Sequence, residues 1–140
     1  MQLMDNVSDF HESPCSQWSE NLLIDIVLTS ATAVHRELGP GLLESVYQAA
    51  LMIELAERGV AAKAEVPVNA RYRGIDLGLG FRADIIVDDR LLLELKGVEK
   101  IVDAHIAQVI SYLKLLGLRR GYILNFGAAL MKDGIKRVSV

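Results

Sequence analysis

Asp84, Glu94 and Lys96 are the residues of this sequence whose types and spacing best suit chemistry. Two carboxylates held close together repel unless a cation sits between them. Oxygen-only ligands with open positions suit a hard ion such as Mg2+ or Mn2+. Such an ion can polarise a phosphoryl oxygen and lower the pKa of a bound water. A lysine beside it can orient that water or stabilise charge on a scissile phosphate. The trio therefore points to metal-assisted hydrolysis of a phosphodiester.

The same three residues could also form an exposed strand face with a surface salt bridge. The neighbouring residues argue against that. Leu91, Leu92, Leu93 and Leu95 leave only Glu94 between them, so residues 90–98 read as a strand buried on both faces. Glu94 and Lys96 are two apart and share a face, with Leu93 and Leu95 on the other. A buried charge without a partner costs on the order of several kcal/mol, or shifts its pKa. A turn at Asp88-Asp89 folds residues 76–87 alongside as another strand, which brings Asp84 next to Glu94.

Two helices supply further candidates. Glu44, Tyr47, Gln48 and Leu51 fall on one helical face. That stripe runs on to Leu55, so Glu44 is expected in a partly buried setting as a third acid for the metal, direct or through water. A first-turn glutamate favoured by the helix dipole would look the same. Further on, His105, Gln108 and Tyr112 lie within about 60° of one another on a helix. Its core stripe is Ile106, Val109, Ile110, Leu113 and Leu116, and the polar trio borders it where a site rim would be. Gln108 and Tyr112 can bond phosphate or position Lys96. His105 alone fits a boundary polar residue equally well.

The elements that must position these residues follow from the pattern. Residues 20–38 read as a helix, with apolar positions at Leu22, Ile26, Ala33 and Leu38, stopped by Gly39-Pro40-Gly41. A second helix runs over about 42–58 and ends at Gly59. Residues 62–72 alternate, placing Ala64, Val66, Val68 and Ala70 on one face of a strand that Pro67 pushes towards an edge or a bulge. The strand at 76–87 is weakened at Gly78 and Gly80. The third helix spans 103–116, with Asp103 as its expected N-cap. Strands at 121–126 and 135–140 close the chain. The order ααβββαββ predicts an α/β fold, a central mixed sheet flanked by helices.

The 140 residues suit a single domain over 20–140, preceded by a poorly ordered acidic tail at 1–19 that Phe10 and Trp18 could anchor. One cysteine, Cys15, allows no internal disulfide. No signal peptide is read. The apolar runs near 22–28 and 49–55 are broken by charges and too short to span a bilayer, so a cytoplasmic protein with no membrane partner is expected. The net charge of −3 is unevenly spread. Residues 1–66 carry ten acids and three bases, whereas residues 67–140 carry eight acids and twelve bases. A basic C-terminal half can steer a polyanion even on an acidic chain.

Gly41-Leu42-Leu43-Glu44-Ser45-Val46-Tyr47 matches a G-x-x-E-x-x-Y signature, and from Ile24 onward the chain resembles the small prokaryotic family named for it. The other landmarks are His35 before Leu38-Gly39, Phe81-Arg82-Ala83-Asp84, Glu94-Leu95-Lys96, Gln108 to Tyr112, and Asn125-Phe126-Gly127. That family looks like a branch of the PD-(D/E)XK nuclease superfamily, close to RecB-type nucleases. The resemblance implies a restriction-endonuclease-like core. It implies metal binding by Glu44, Asp84, Glu94 and the Leu95 carbonyl, with Lys96 as the catalytic lysine and Gln108 and Tyr112 orienting substrate or lysine. The residue before Asp84 is Ala83 where the motif name has Pro, which many superfamily members share. The expected function is Mg2+- or Mn2+-dependent hydrolysis of DNA. The alternative is a catalytically silent module that keeps the fold and binds nucleic acid or protein. A homodimer or a partner protein could complete the site in either case.

Overall fold

The computed structural model describes residues 17–140. The expected tail falls outside the described residues up to position 16, Phe10 included. Trp18 packs against the core, and the Ser19 hydroxyl caps the first helix by accepting from the Leu22 N–H at 3.2 Å. That helix, α1, is Glu20–Leu38. Its buried face is Leu23, Val27, Ala31 and Val34 rather than the stripe expected from Leu22, and Leu22 is exposed. Residues 22–28 are apolar at every position except Asp25, so spacing alone admits more than one stripe.

Helix α2, Glu44–Glu57, buries Tyr47, Leu51 and Leu55. The strands are β1 (Ala62–Tyr72), β2 (Ile75–Val87), β3 (Leu91–Lys96), β4 (Arg120–Asn125) and β5 (Ile135–Ser139). Helix α3, Asp103–Leu116, connects β3 to β4, and a 3-10 turn at Met131–Gly134 precedes β5. The predicted order is found. Asp103 is the first helical residue and not the cap; Val102 holds the cap position, without a side-chain cap bond.

The five strands lie in sequence order, antiparallel except for β3 beside β4. Proline removes a ladder donor, and Pro67 accordingly sits on the edge strand β1. The α1–α2 pair covers one face, packing Ile85, Val87, Leu91, Leu93 and Leu95. Helix α3 covers the other, packing Ile86, Leu92, Ile123 and Val138. The central strand β3 is thus buried on both sides, as its leucine run requires.

β2 and β3 pair at only three positions, Ile85–Leu93, Ile86–Leu92 and Val87–Leu91. The turn between them uses left-handed backbone at Asp88 and Asp89 (φ 54° and 57°), which aspartate tolerates better than most residues. Beyond Ile85 the strands part, and residues 75–83 of β2 continue with β1 alone as a two-stranded ribbon. At the parting the β1–β2 ladder also skips one pair, Glu65 opposite Asp84, and Glu65 has φ 56°.

The break moves side chains across the sheet. Ile85 and Val87 face α1–α2, whereas Val66, Val68 and Ala83 face α3. Strict alternation would keep residues of one parity together. Ala64 is therefore exposed and does not share the face of Val66 and Val68 as the alternation suggested.

Candidate active site

The parting of β2 from β3 frees backbone amides that a longer ladder would have used. Carboxylates take them instead. The Asp84 N–H donates to Glu94 Oε1 at 3.1 Å, and the Leu95 N–H donates to Asp84 Oδ2 at 2.8 Å. The two carboxyl groups also lie within hydrogen-bonding reach of each other. Glu94 is only 3% exposed, and Asp84 is partly buried.

Burial is the main cause raising both carboxyls above their ordinary values. Glu94 is pushed up to about 8, first by desolvation and then by the negative charge of Asp84. Asp84 is raised further by the charges of Glu44 and Glu65, while its bond from Leu95 opposes the shift. At neutral pH, then, the pair keeps a proton. A cation placed here would remove the cause.

Glu44 reaches the same place from the start of α2. Its Oε2 accepts from the Gly97 N–H at 3.1 Å, just past the end of β3. The side chain is exposed, not partly buried as its stripe suggested, because the buried face begins at Tyr47. The signature tyrosine is what aims it. Tyr47 is fully buried, stacked on Phe126 at 4.4 Å and 9°. Its hydroxyl donates to the Gly39 carbonyl and accepts from the Leu42 N–H, pinning the Gly-Pro-Gly turn that fixes where α2 begins. His35 supports the same group, stacking on Phe126 and bonding the Ala128 carbonyl at 2.8 Å. Asn125 bridges to the backbone of Val98 and Gly127. A Cβ at Gly127 would lie 2.3 Å from the Val98 carbonyl oxygen, so only glycine fits that turn.

Lys96 makes no ion pair with Glu94 among the described residues, which removes the surface salt bridge as the reason for the E-x-K spacing. Its ammonium donates to Gln108 Oε1 at 2.9 Å, and Gln108 Nε2 donates to the Tyr112 hydroxyl at 3.2 Å. Tyr112 is raised above its ordinary value, chiefly by burial and partly by the charges of Glu94 and Asp84, which places the acid pair and this polar chain side by side. His105 sits one turn before Gln108 and takes no part in that chain of bonds. Its Nδ1 accepts from the Val102 N–H at 3.1 Å and so closes the first turn of α3.

Two residues of the site had no clear signal in the sequence. Gln48, one turn beyond Glu44, donates at 2.8 Å both to the Asp84 carbonyl and to Glu65 Oε2. It stitches α2 to the ladder break. Glu65 brings a fourth acid. Glu44, Ser45, Gln48, Glu65, Asp84 and Leu95 line a cavity of about 200 Å3 at that point. Sharing a face with Glu44 was the only hint of Gln48. Glu65 offered none, because its place opposite Asp84 depends on a register shift further along the hairpin.

Among the described residues no three His, Cys, Asp or Glu side chains form a ready cluster for a metal ion. The donor chemistry nevertheless fits a hard divalent cation. Asp84, Glu94 and Glu44 each hold a backbone amide through one oxygen, and the Asp84 charge that helps raise Glu94 is one a cation would offset.

A family model for the PD-(D/E)XK nuclease superfamily matches residues 21–138. No curated protein and no solved structure matched the chain. The match spans all three helices and nearly the whole sheet, and with it the mixed, helix-flanked sheet is a restriction-endonuclease-like fold. The chain belongs to the PD-(D/E)XK nuclease superfamily.

Proposed function

We propose that the protein hydrolyses phosphodiester bonds in DNA with Mg2+ or Mn2+, as a member of the G-x-x-E-x-x-Y branch close to RecB-type nucleases. One observation carries the reading. Glu94 and the partly buried Asp84 meet at a break in the sheet with their carboxyls raised, beside a lysine whose ammonium is held by Gln108 and not by either acid. Burying such a pair carries a desolvation cost that a bound cation would offset.

Asp84, Glu94 and the Leu95 carbonyl would hold the metal, with Glu44 completing the set directly or through water. When bound, the ion supplies a Lewis acid for a phosphoryl oxygen and for the attacking water. The acid pair must first release its proton. Lys96 presents a positive charge to the scissile phosphate, and Gln108 fixes the direction of that ammonium while Tyr112 holds Gln108. The test is cleavage of linear, single-stranded, flapped and branched DNA by the full chain with either ion. Asp84→Asn and Lys96→Ala should each abolish it while leaving thermal unfolding intact. Failure to cut any of these substrates with either ion overturns the reading.

A second reading has its own support. The carboxylates already bond backbone amides, so the site can close on itself without metal. The fold would then serve as an accessory module that binds nucleic acid or protein. Titration calorimetry separates the two readings. Heat from millimolar Mg2+ or Mn2+ that disappears in Asp84→Asn supports the hydrolase, and no heat supports the module.

A further inference from the structure

The two-stranded ribbon beyond the ladder break has an unusual surface. Residues 66–83 carry three arginines (Arg71, Arg73 and Arg82) against one acid, Asp76, on a chain that is acidic overall. The ribbon also exposes large rings. Tyr72 is 60% exposed, with the Arg73 guanidinium over its face at 5.3 Å. Phe81 is 48% exposed although a buried position lies within reach at Ala83. Its ring leans on Tyr112 at 5.3 Å between centroids. Phe81, Arg82 and Tyr112 line an open groove of about 570 Å3 with Pro67, Asn69 and Gly80.

A chain of contacting side chains links the groove to Lys96. Phe81 leans on Tyr112, Gln108 donates to Tyr112, and Lys96 donates to Gln108, so two side chains lie between Phe81 and the ammonium assigned to the scissile phosphate. Arg82 makes no ion pair among the described residues. A half-exposed ring, a guanidinium without a partner acid and an open groove tied through Tyr112 and Gln108 to Lys96 together favour one ligand. Aromatic rings stack on unpaired bases, and arginines neutralise the backbone between them. A duplex hides its base faces in its own stack, so a ring at this position meets nothing to stack on until strands separate.

We propose that Phe81, Tyr112 and Arg82 form a stacking platform for an unpaired stretch of nucleic acid, which delivers the adjoining phosphate to Lys96 and Asp84. The substrate class is therefore a single strand or a duplex with a frayed or flapped end. The platform rests on the hydrolase reading for its purpose, but its binding can be measured without cleavage.

The experiment uses the full chain in EDTA, a fluorescein-labelled 12-nucleotide oligothymidylate, and a blunt hairpin duplex with the same label. Fluorescence anisotropy should show tighter binding of the single strand. Phe81→Ala should weaken that binding about 5- to 100-fold, and Phe81→Trp should keep it. Arg82→Ala should weaken it and flatten its dependence on salt. Because Phe81 is half exposed, Phe81→Ala should fold, and Arg82→Ala tests the same surface independently. Equal affinity for the blunt duplex, or single-strand binding unchanged in both Phe81→Ala and Arg82→Ala, overturns the platform. So does a dimer in light scattering that Phe81→Ala dissolves, since the ring then serves a second copy of the chain. Phe81-dependent binding with no cleavage by any divalent ion leaves the platform standing and removes the hydrolase. Asp84-dependent cutting with Phe81-independent binding does the reverse.

Discussion

The polar residues that the sequence singles out end up in two groups with opposite electrostatics. Around Phe126, the Tyr47 hydroxyl, His35 Nε2 and the Asn125 amide meet backbone partners. Around the ladder break, Glu94 is buried and Asp84 partly so, and desolvation raises both carboxyls, with the Asp84 charge raising Glu94 further. Burial is therefore common to both groups and does not distinguish them. Satisfaction does. The first group holds the turn that aims Glu44, whereas the second stores an electrostatic cost that only protonation or a cation relieves.

Substitutions should separate the groups sharply. The largest effect is expected at the acid pair, where Asp84→Asn should reduce DNA cleavage by about 10^3-fold or more with little change in the unfolding midpoint. If its stability instead falls as far as that of a core variant, the pair is structural and the distinction fails. Next in size, Phe126→Ala removes the ring on which Tyr47 and His35 stack and should cost about 3–5 kcal/mol in urea unfolding.

The pH dependence of stability sharpens the comparison. The Glu94 carboxyl rises from its ordinary 4.5 to about 8 in the folded chain. Between those values the folded protein keeps a proton that the unfolded chain has released. Stability of the metal-free protein should therefore fall as pH rises through that window, by roughly 1–4 kcal/mol in all. Below pH 4.5 both states are protonated and the contribution is flat. Saturating Mn2+ should reverse the slope, because binding requires the carboxylate form. A flat profile in Glu94→Gln, measured by urea unfolding from pH 5 to pH 9, ties the slope to this residue. The smallest effect belongs to the satisfied group. Tyr47→Phe keeps the stack and loses only the hydroxyl that joins Gly39 to Leu42, which should cost about 1–2 kcal/mol.

Much of this arrangement is legible in the sequence, for reasons that can be named. Four leucines around Glu94 force a strand with two covered faces, so the acid on it had to be buried. The Asp88-Asp89 turn is short enough to bring Asp84 beside that acid. Helical spacing raises Glu44, Gln108 and Tyr112 as candidates, and the resemblance is what favours them over a first-turn glutamate and boundary polar residues, which are ordinary features of helices.

Glu65 shows what stays hidden. Counting back from the Arg73-Gly74 turn, where Tyr72 pairs with Ile75, would set Glu65 opposite Arg82. The ladder shifts between Asn69 and Arg71, where β2 carries extra residues around Gly78, at φ 69°. That shift moves Glu65 to Asp84. Nothing in local propensity fixes such a slip, because it depends on how the finished ribbon twists over α3. The same hairpin defeated the face expected for Ala64. At Asp103 the reason is simpler: aspartate suits the first turn as well as the cap, and spacing does not separate the two.

The amides that the acid pair holds have a further use. The N–H groups of Asp84 and Leu95 end on side chains and not on a neighbouring strand. Their exchange with heavy water is then governed by where two carboxylates point, while the amides of Ile86 and Leu92 a few residues away answer only to the opening of the sheet. A cation that turns the carboxylates should change the first pair and spare the second. The molecule thus carries its own gauge of occupancy, readable by amide NMR before any substrate is known.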